Sequence, residues 1–227
     1  MIGIFDSGVG GFNSLYEIRR LLPRADIIYL ADRKNAPYGT KSRRELISLV
    51  TEDIRRLVKL GATKILIACC TASCVWDSLG EEDKRISLPI IRPAAYATAC
   101  TAKRGVTVIA TEATVKEGAF EREIAKYSPL PVQEIATQEL VSLVEGGCRD
   151  DRVTEKDMKI LSAVAEKIKK TNADTLVLGC THFSHLEKVL SALTKMKTVS
   201  PAREGAHIIA AECVACDAVG RGRVTYI

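Results

Sequence analysis

The pattern that most limits what this chain can become is an alternation of short apolar runs with longer amphipathic stretches, sustained through its 227 residues. IGIF (2–5), DIIYL (26–30), KILIA (64–68), LPII (88–91), VTVIA (106–110), PVQEI (131–135), DTLVLG (174–179) and KTVS (197–200) are each too short for a helix. Several are rich in β-branched residues, so they read as buried strands. Between them lie helices. Ser42 and Glu45 form a capping box ahead of Leu46, Leu49, Val50, Ile54 and Leu57, whose spacing places them on one helical face. Thr154 and Asp157 open a second such helix, with Met158, Leu161, Ala165 and Ile168 expected to face inward. Strands alternating with helices predict an α/β fold of mainly parallel sheets flanked by helices. Ligands in such folds lie beyond the carboxyl ends of the strands, so the residues that follow each strand are where chemistry is to be sought.

The chain also reads as two related halves. KILIA runs into Cys69-Cys70-Thr71, and DTLVLG, about half the chain later, runs into Cys180-Thr181-His182. IGIF opens onto Asp6-Ser7-Gly8, and GVTVIA onto Thr111-Glu112-Ala113-Thr114. Each half therefore carries one strand–loop suited to gripping a ligand and one strand followed by Cys. Composition narrows the function classes. The formal net charge is +5 with the basic residues scattered, and aromatics are only 5%, so neither a basic arm nor a row of base-stacking platforms supports a nucleic-acid partner. No apolar run approaches the ~18 residues of a membrane span. The opening MIGIF reads as a strand with no signal-peptide pattern, so the expectation is a cytoplasmic chain whose eight cysteines are reduced.

Free cysteine usually behaves as a small buried hydrophobe, and that is the reading for Cys100 and Cys148. Cys213 and Cys216 have CxxC spacing, but they fall on an alanine-rich helical stretch with no second pair, so packing is expected there too. Cys69 and Cys180 differ, because both follow strands at the edge where α/β folds place their sites, and both precede segments that read as helix starts. A helix N-terminus lowers a thiol pKa and supplies N–H donors. Two such thiols in corresponding places suggest a pair facing one another across a cleft. They are suited either to a redox disulfide or to proton transfer on the two faces of one carbon, which inverts a stereocentre. The neighbours fit proton transfer: His182 is placed to assist Cys180, and Asp6 to assist Cys69. His185 and His207 read as structural.

Among the other strand-end loops, Asp6–Gly11 is glycine-rich but matches neither GxGxxG nor a phosphate-binding loop with GK[ST], so a nucleotide site is not expected. Its backbone N–H groups and the Ser7 hydroxyl suit a carboxylate, and a plain tight turn is the equal alternative. Pro37-Tyr38-Gly39 fixes a turn whose backbone is placed to meet a ligand. Thr111 and Thr114 offer hydroxyls, with helix capping the alternative for Thr114. Glu145 closes the apolar stretch LVSLVE, where a solvated residue is the common case.

The segments FDSGVGG, PYGTKS, AC-x-TAS, TEATV and GCTHF, in this order, resemble the glutamate racemases of the cofactor-independent aspartate/glutamate racemase superfamily. The resemblance implies two pseudo-symmetric α/β domains, here 1–92 plus 206–227 and 93–205, with the active site in the inter-domain cleft. It implies interconversion of L- and D-glutamate to supply D-glutamate for peptidoglycan, without metal or pyridoxal phosphate. By motif, Cys69 and Cys180 become the proton donors and acceptors, tuned by Asp6 and His182. Asp6, Ser7, Tyr38, Gly39, Cys70, Thr71, Thr111, Thr114, Thr181 and His182 fall at substrate-binding or supporting positions, and Glu145 supports the second thiol. The family pattern has Asn where this chain has Cys70, and Asp-Ser where it has Ser200-Pro201. Kept beside this reading are a racemase for aspartate or another acidic amino acid, a weakly catalytic amino-acid-binding or regulatory homologue, and a thiol redox protein. The partner expected is a small amino acid, with a homodimer left open.

Overall fold

All eight runs read as strands form strands in the computed structural model, which describes residues 1–214 and 220–227. The strands are β1 (Ile2–Asp6), β2 (Ile27–Ala31), β3 (Lys64–Ile67), β4 (Ser87–Pro89), β5 (Val106–Ala110), β6 (Val132–Ala136), β7 (Thr175–Gly179), β8 (Lys197–Val199) and β9 (Val224–Tyr226). The helices are α1 (Phe12–Leu21), α2 (Arg43–Lys59), α3 (Cys70–Ser73), α4 (Glu81–Ile86), α5 (Ile91–Thr101) and α6 (Glu112–Glu117). They continue with α7 (Ala119–Ala125), α8 (Gln138–Glu145), α9 (Glu155–Lys169), α10 (Glu187–Thr194) and α11 (Pro201–Val214). The chain divides into two compact units, Met1–Pro93 with Ala202–Ile227, and Ala94–Pro201.

In the first unit the sheet runs β4-β3-β1-β2-β9, and in the second β6-β5-β7-β8, with every named pair parallel. Written in the opposite direction, the second sheet is β8-β7-β5-β6, the same wiring as β4-β3-β1-β2. The repeat visible in the sequence is therefore a repeat of topology, and it puts Cys69 and Cys180 after equivalent strands. β1, β5 and β7 are buried at every position, as parallel strands covered on both faces require. β9 gave no apolar run to detect; three residues following Gly220 and Gly222 pair with Ile27–Tyr29 at the edge.

The capping boxes form as read. The Ser42 hydroxyl accepts the Glu45 N–H at 3.3 Å, and Glu45 Oε2 accepts the Ser42 N–H at 2.8 Å. Thr154 and Asp157 exchange the same pair of bonds. Leu46, Val50, Ile54 and Leu57 of α2 then enter the first core beside Phe5, Leu30 and Ile67, and Leu49 packs at its margin. In α9 the buried stripe is Leu161, Val164, Ala165 and Ile168. Met158 departs from expectation: it lies in the first turn, beyond the end of that stripe, and is 38% exposed. Cys148 and Cys213 are buried as packing residues, whereas Cys216 lies outside the described residues. Cys100 is a second correction. The buried face of α5 is Ile91, Ala94, Ala95 and Thr98, so Cys100 falls with Tyr96 on the opposite, exposed face. Among the described residues no helix is long and apolar enough to cross a membrane.

Candidate active site

Strand order reverses at β1 in the first unit, where the chain crosses to one side to make β2 and to the other to make β3. Open α/β sheets take ligands at such a switch, which here falls at the carboxyl ends of β1 and β3, where the loop after Asp6 lies beside the turn that begins at Cys69. Parallel pairing of Phe5 with Ile67 brings the two strand ends level. The Ser7 hydroxyl accordingly lies 3.5 Å from Cys69 Sγ.

Asp6 is fully buried, and its Oδ2 accepts the Gly8 N–H at 3.0 Å, which closes the loop tightly on itself. Tyr29, from the neighbouring strand β2, donates its hydroxyl to the Gly8 carbonyl at 3.2 Å. Gly11 is required here on steric grounds. A Cβ at this position would sit 2.7 Å from Asp6 Cβ and 2.8 Å from the Tyr29 hydroxyl. Burial, and then the charge of Asp6, raise the pKa of Tyr29 well above the usual phenol range, so Tyr29 is a neutral donor to this loop.

Cys69 is the N-cap of α3. Its pKa moves opposite to the expectation, pushed up to about 11. Burial is the largest cause and the Asp6 carboxylate the second; hydrogen bonds from the Ser7 hydroxyl and from the Ala72 and Ser7 backbone N–H groups pull the other way and are outweighed. A helix of four residues has little macrodipole to set against complete desolvation. Cys69 is thus held as a neutral thiol with ready-made donors for the thiolate. Cys70 and Thr71 are buried in the same turn. Ser73 fastens the turn by donating to the Ile67 carbonyl at 3.2 Å and accepting the Ile90 N–H at 3.1 Å.

The loop after β2 carries Tyr38 and Gly39. Gly39 is exposed, while Tyr38 is buried with its hydroxyl between two carboxylates, 2.7 Å from Asp32 and 2.9 Å from Asp53. The Tyr38 side chain therefore anchors the loop, and Gly39 beside it is left exposed. The sequence did carry a signal for Asp53. It falls at the inward spacing set by Leu46, Val50 and Leu57, where an acid is out of pattern.

The second unit repeats the arrangement with different side chains. Ala110 pairs with Gly179, which brings Thr111 level with Cys180. Gly179 has no room for a side chain, since a Cβ would lie 2.8 Å from the Ile109 carbonyl oxygen. Thr111 is the N-cap of α6: its hydroxyl accepts the Thr114 N–H and donates to the buried Thr114 hydroxyl at 3.0 Å. The cap is Thr111, so Thr114 is instead a hydroxyl held in place. Cys180 precedes a helical segment as read, a 3-10 helix over Thr181–Leu186 followed at once by α10. His182 Nδ1 lies 3.6 Å from Cys180 Sγ, and its Nε2 lies 3.8 Å from Glu145 Oε1, an ion-pair separation. Asp150, which carried no sequence signal, secures this segment. Its carboxylate accepts the Lys188 and Val189 N–H groups at 3.0 Å each, and its N–H donates to the His185 carbonyl at 2.8 Å.

Each unit thus presents one thiol with its own polar partner, Ser7 and Asp6 for Cys69 and His182 for Cys180. Among the described residues no group of three or more His, Cys, Asp or Glu is arranged to hold a metal ion.

Comparison with known proteins identifies the family and the fold. The model of the Asp/Glu/Hydantoin racemase family matches residues 17–209. The chain is 37% identical over 194 residues to the glutamate racemase of Persephonella marina, which spans 85% of this chain and 74% of that one. It superposes on a glutamate racemase of Bacillus anthracis with a TM-score of 0.89 at 28% identity, over 100% of this chain and 86% of the other. The glutamate racemase of Francisella tularensis, solved with D-glutamate, gives the same TM-score at 26% identity over 99% and 86%.

Proposed function

The chain belongs to the Asp/Glu/Hydantoin racemase family, and from that premise we propose that it interconverts L- and D-glutamate by proton transfer at Cα between Cys69 and Cys180, without a cofactor. The observation that carries this reading is the placement of the two thiols after the equivalent strands β3 and β7, each with a partner of its own. In one direction the Cys69 thiolate removes the Cα proton: the Cα–H bond breaks, its electron pair stays on the carbon, and the proton goes to sulfur. The Cys180 thiol then delivers its proton to the opposite face and becomes the thiolate. The reverse reaction exchanges the roles.

The side chains divide this work. Donors from Ser7 and the Ala72 N–H stabilise a thiolate at Cys69. The imidazole of His182 accepts the Cys180 proton or, protonated, stabilises that thiolate, with Glu145 outside it. Asp6, Ser7, Gly39, Cys70, Thr71, Thr111, Thr114 and Thr181 hold the amino and carboxylate groups, and Tyr38 holds the turn that carries Gly39. In this reading the protein is cytoplasmic, works as a monomer or homodimer, and supplies D-glutamate for peptidoglycan.

Circular dichroism of the purified chain with L-glutamate and no additive tests the proposal. Decay of the signal to zero supports it. Turnover of L-aspartate alone would replace the substrate, and tight glutamate binding with no turnover would make the chain a binding homologue.

A further inference from the structure

We propose that Asp53 is a positioning residue that holds the Asp32–Thr40 loop by sharing a single proton with Asp32 through the Tyr38 hydroxyl. The inference rests on the reading above only in taking that loop as a wall of the substrate site. The hydrogen-bond count is what requires a shared proton. Tyr38 has one hydroxyl hydrogen, yet its oxygen is 2.7 Å from Asp32 Oδ2 and 2.9 Å from Asp53 Oδ2, and all three side chains are buried. Tyr38 satisfies one carboxylate, so the other must itself carry a proton to make a bond rather than a repulsion.

Asn35 decides which one. Its amide donates to both oxygens of Asp32, at 3.0 and 2.9 Å, so both of those oxygens serve as acceptors and the proton is assigned to Asp53. The order is then Asp53 donating to Tyr38, Tyr38 donating to Asp32, and Asn35 donating to Asp32 from the far side. The Asp32 N–H in turn donates to the Asp6 carbonyl at 2.9 Å, so the relay ends at the strand that carries the candidate catalytic loop. Burial pushes Asp53 up to about 7; the Tyr38 hydrogen bond opposes this, Asp32 and Glu52 add to it, and Arg56 opposes it.

The sign of the pH dependence follows. A carboxyl whose proton is held in the fold above its unfolded value of about 3.9 contributes stability that is fully present below that value and is lost as pH rises toward 7. Asp53→Asn keeps a permanent donor to Tyr38 and has no proton to lose. Unfolding by urea, without substrate, gives the ratio of the wild-type to the Asp53→Asn unfolding constant. That ratio should grow about tenfold per pH unit from 5 to 7 and level off above. The same window should show the Asp53 carboxyl titrating near pH 7 by carbon NMR in the wild-type chain, which requires no variant.

With substrate, wild-type KM should rise above pH 7 while that of Asp53→Asn stays level. A ratio independent of pH, or an Asp53 carboxyl that titrates near 4, would overturn the shared proton. A parallel rise of KM in both proteins would overturn the positioning role. The substrate-free titrations stand whether or not the chain racemises glutamate.

Discussion

Glycine at position 11 offers a sharp test of how the Asp6 loop is built. In Gly11→Ala the new methyl would lie 2.7 Å from Asp6 Cβ and 2.8 Å from the Tyr29 hydroxyl, each about 1 Å inside ordinary contact. The Asp6 side chain is buried, and Tyr29 is held by stacking on Phe12 at 4.7 Å, so the loop itself must move. Overpacking of this kind costs about 2 kcal/mol. For a chain of this length that lowers Tm by roughly 6 °C. The effect on turnover should be larger, because Asp6 and Ser7 sit against Cys69, and a displacement of ~1 Å at a catalytic group costs on the order of a hundredfold. Gly8→Ala is the control, three residues away in the same loop: its methyl meets nothing within 4 Å, and the Gly8 N–H bond to Asp6 survives the change. Differential scanning calorimetry and kcat for the two variants make the comparison. If Gly11→Ala matches Gly8→Ala in both, the close approach of Asp6, Tyr29 and the loop is not what positions the first thiol.

Other consequences are read more simply. Ser42→Ala removes the acceptor for the Glu45 N–H and should cost about 1 kcal/mol in urea unfolding, with m unchanged. His182→Asn should slow racemisation by about 10²–10⁴-fold, the range for a lost acid–base partner. Glu145→Gln should change it by less than about threefold, because that carboxylate is 63% exposed and 3.8 Å from the ring. Alkylation of Cys69 by iodoacetamide, followed by peptide mass spectrometry, should accelerate about tenfold per pH unit above neutrality and level off only near pH 11. A plateau near pH 8.5 would mean that the donors around the sulfur outweigh its burial.

What the sequence made legible was whatever is written locally. Strand runs ending in Asp6, Cys69, Thr111 and Cys180 show where each strand stops, and a capping box specifies a helix start within four residues. β9 was hidden because its three residues form no apolar run and become a strand only by pairing with one distant in sequence. Met158 departs because helical spacing says which residues share a face, not how far along the helix a core extends; Cys100 departs because residue type does not say which side of a helix meets the core. The thiol of Cys69 departs from the sequence expectation because a helix start is visible in sequence while desolvation is not. Asp53 was visible as an acid in an apolar stripe, yet its meaning depends on Tyr38 and Asp32 arriving beside it from another loop.

The claim on which the functional account stands is that two different thiols serve the two faces of one carbon. Racemisation of L-glutamate in deuterium oxide, stopped at a few percent conversion, reads this directly. The account predicts D-glutamate carrying deuterium at Cα and recovered L-glutamate still carrying protium, since each thiol returns what it removed only to its own face. Product without deuterium, or equal deuteration of both enantiomers at that early stage, would contradict it.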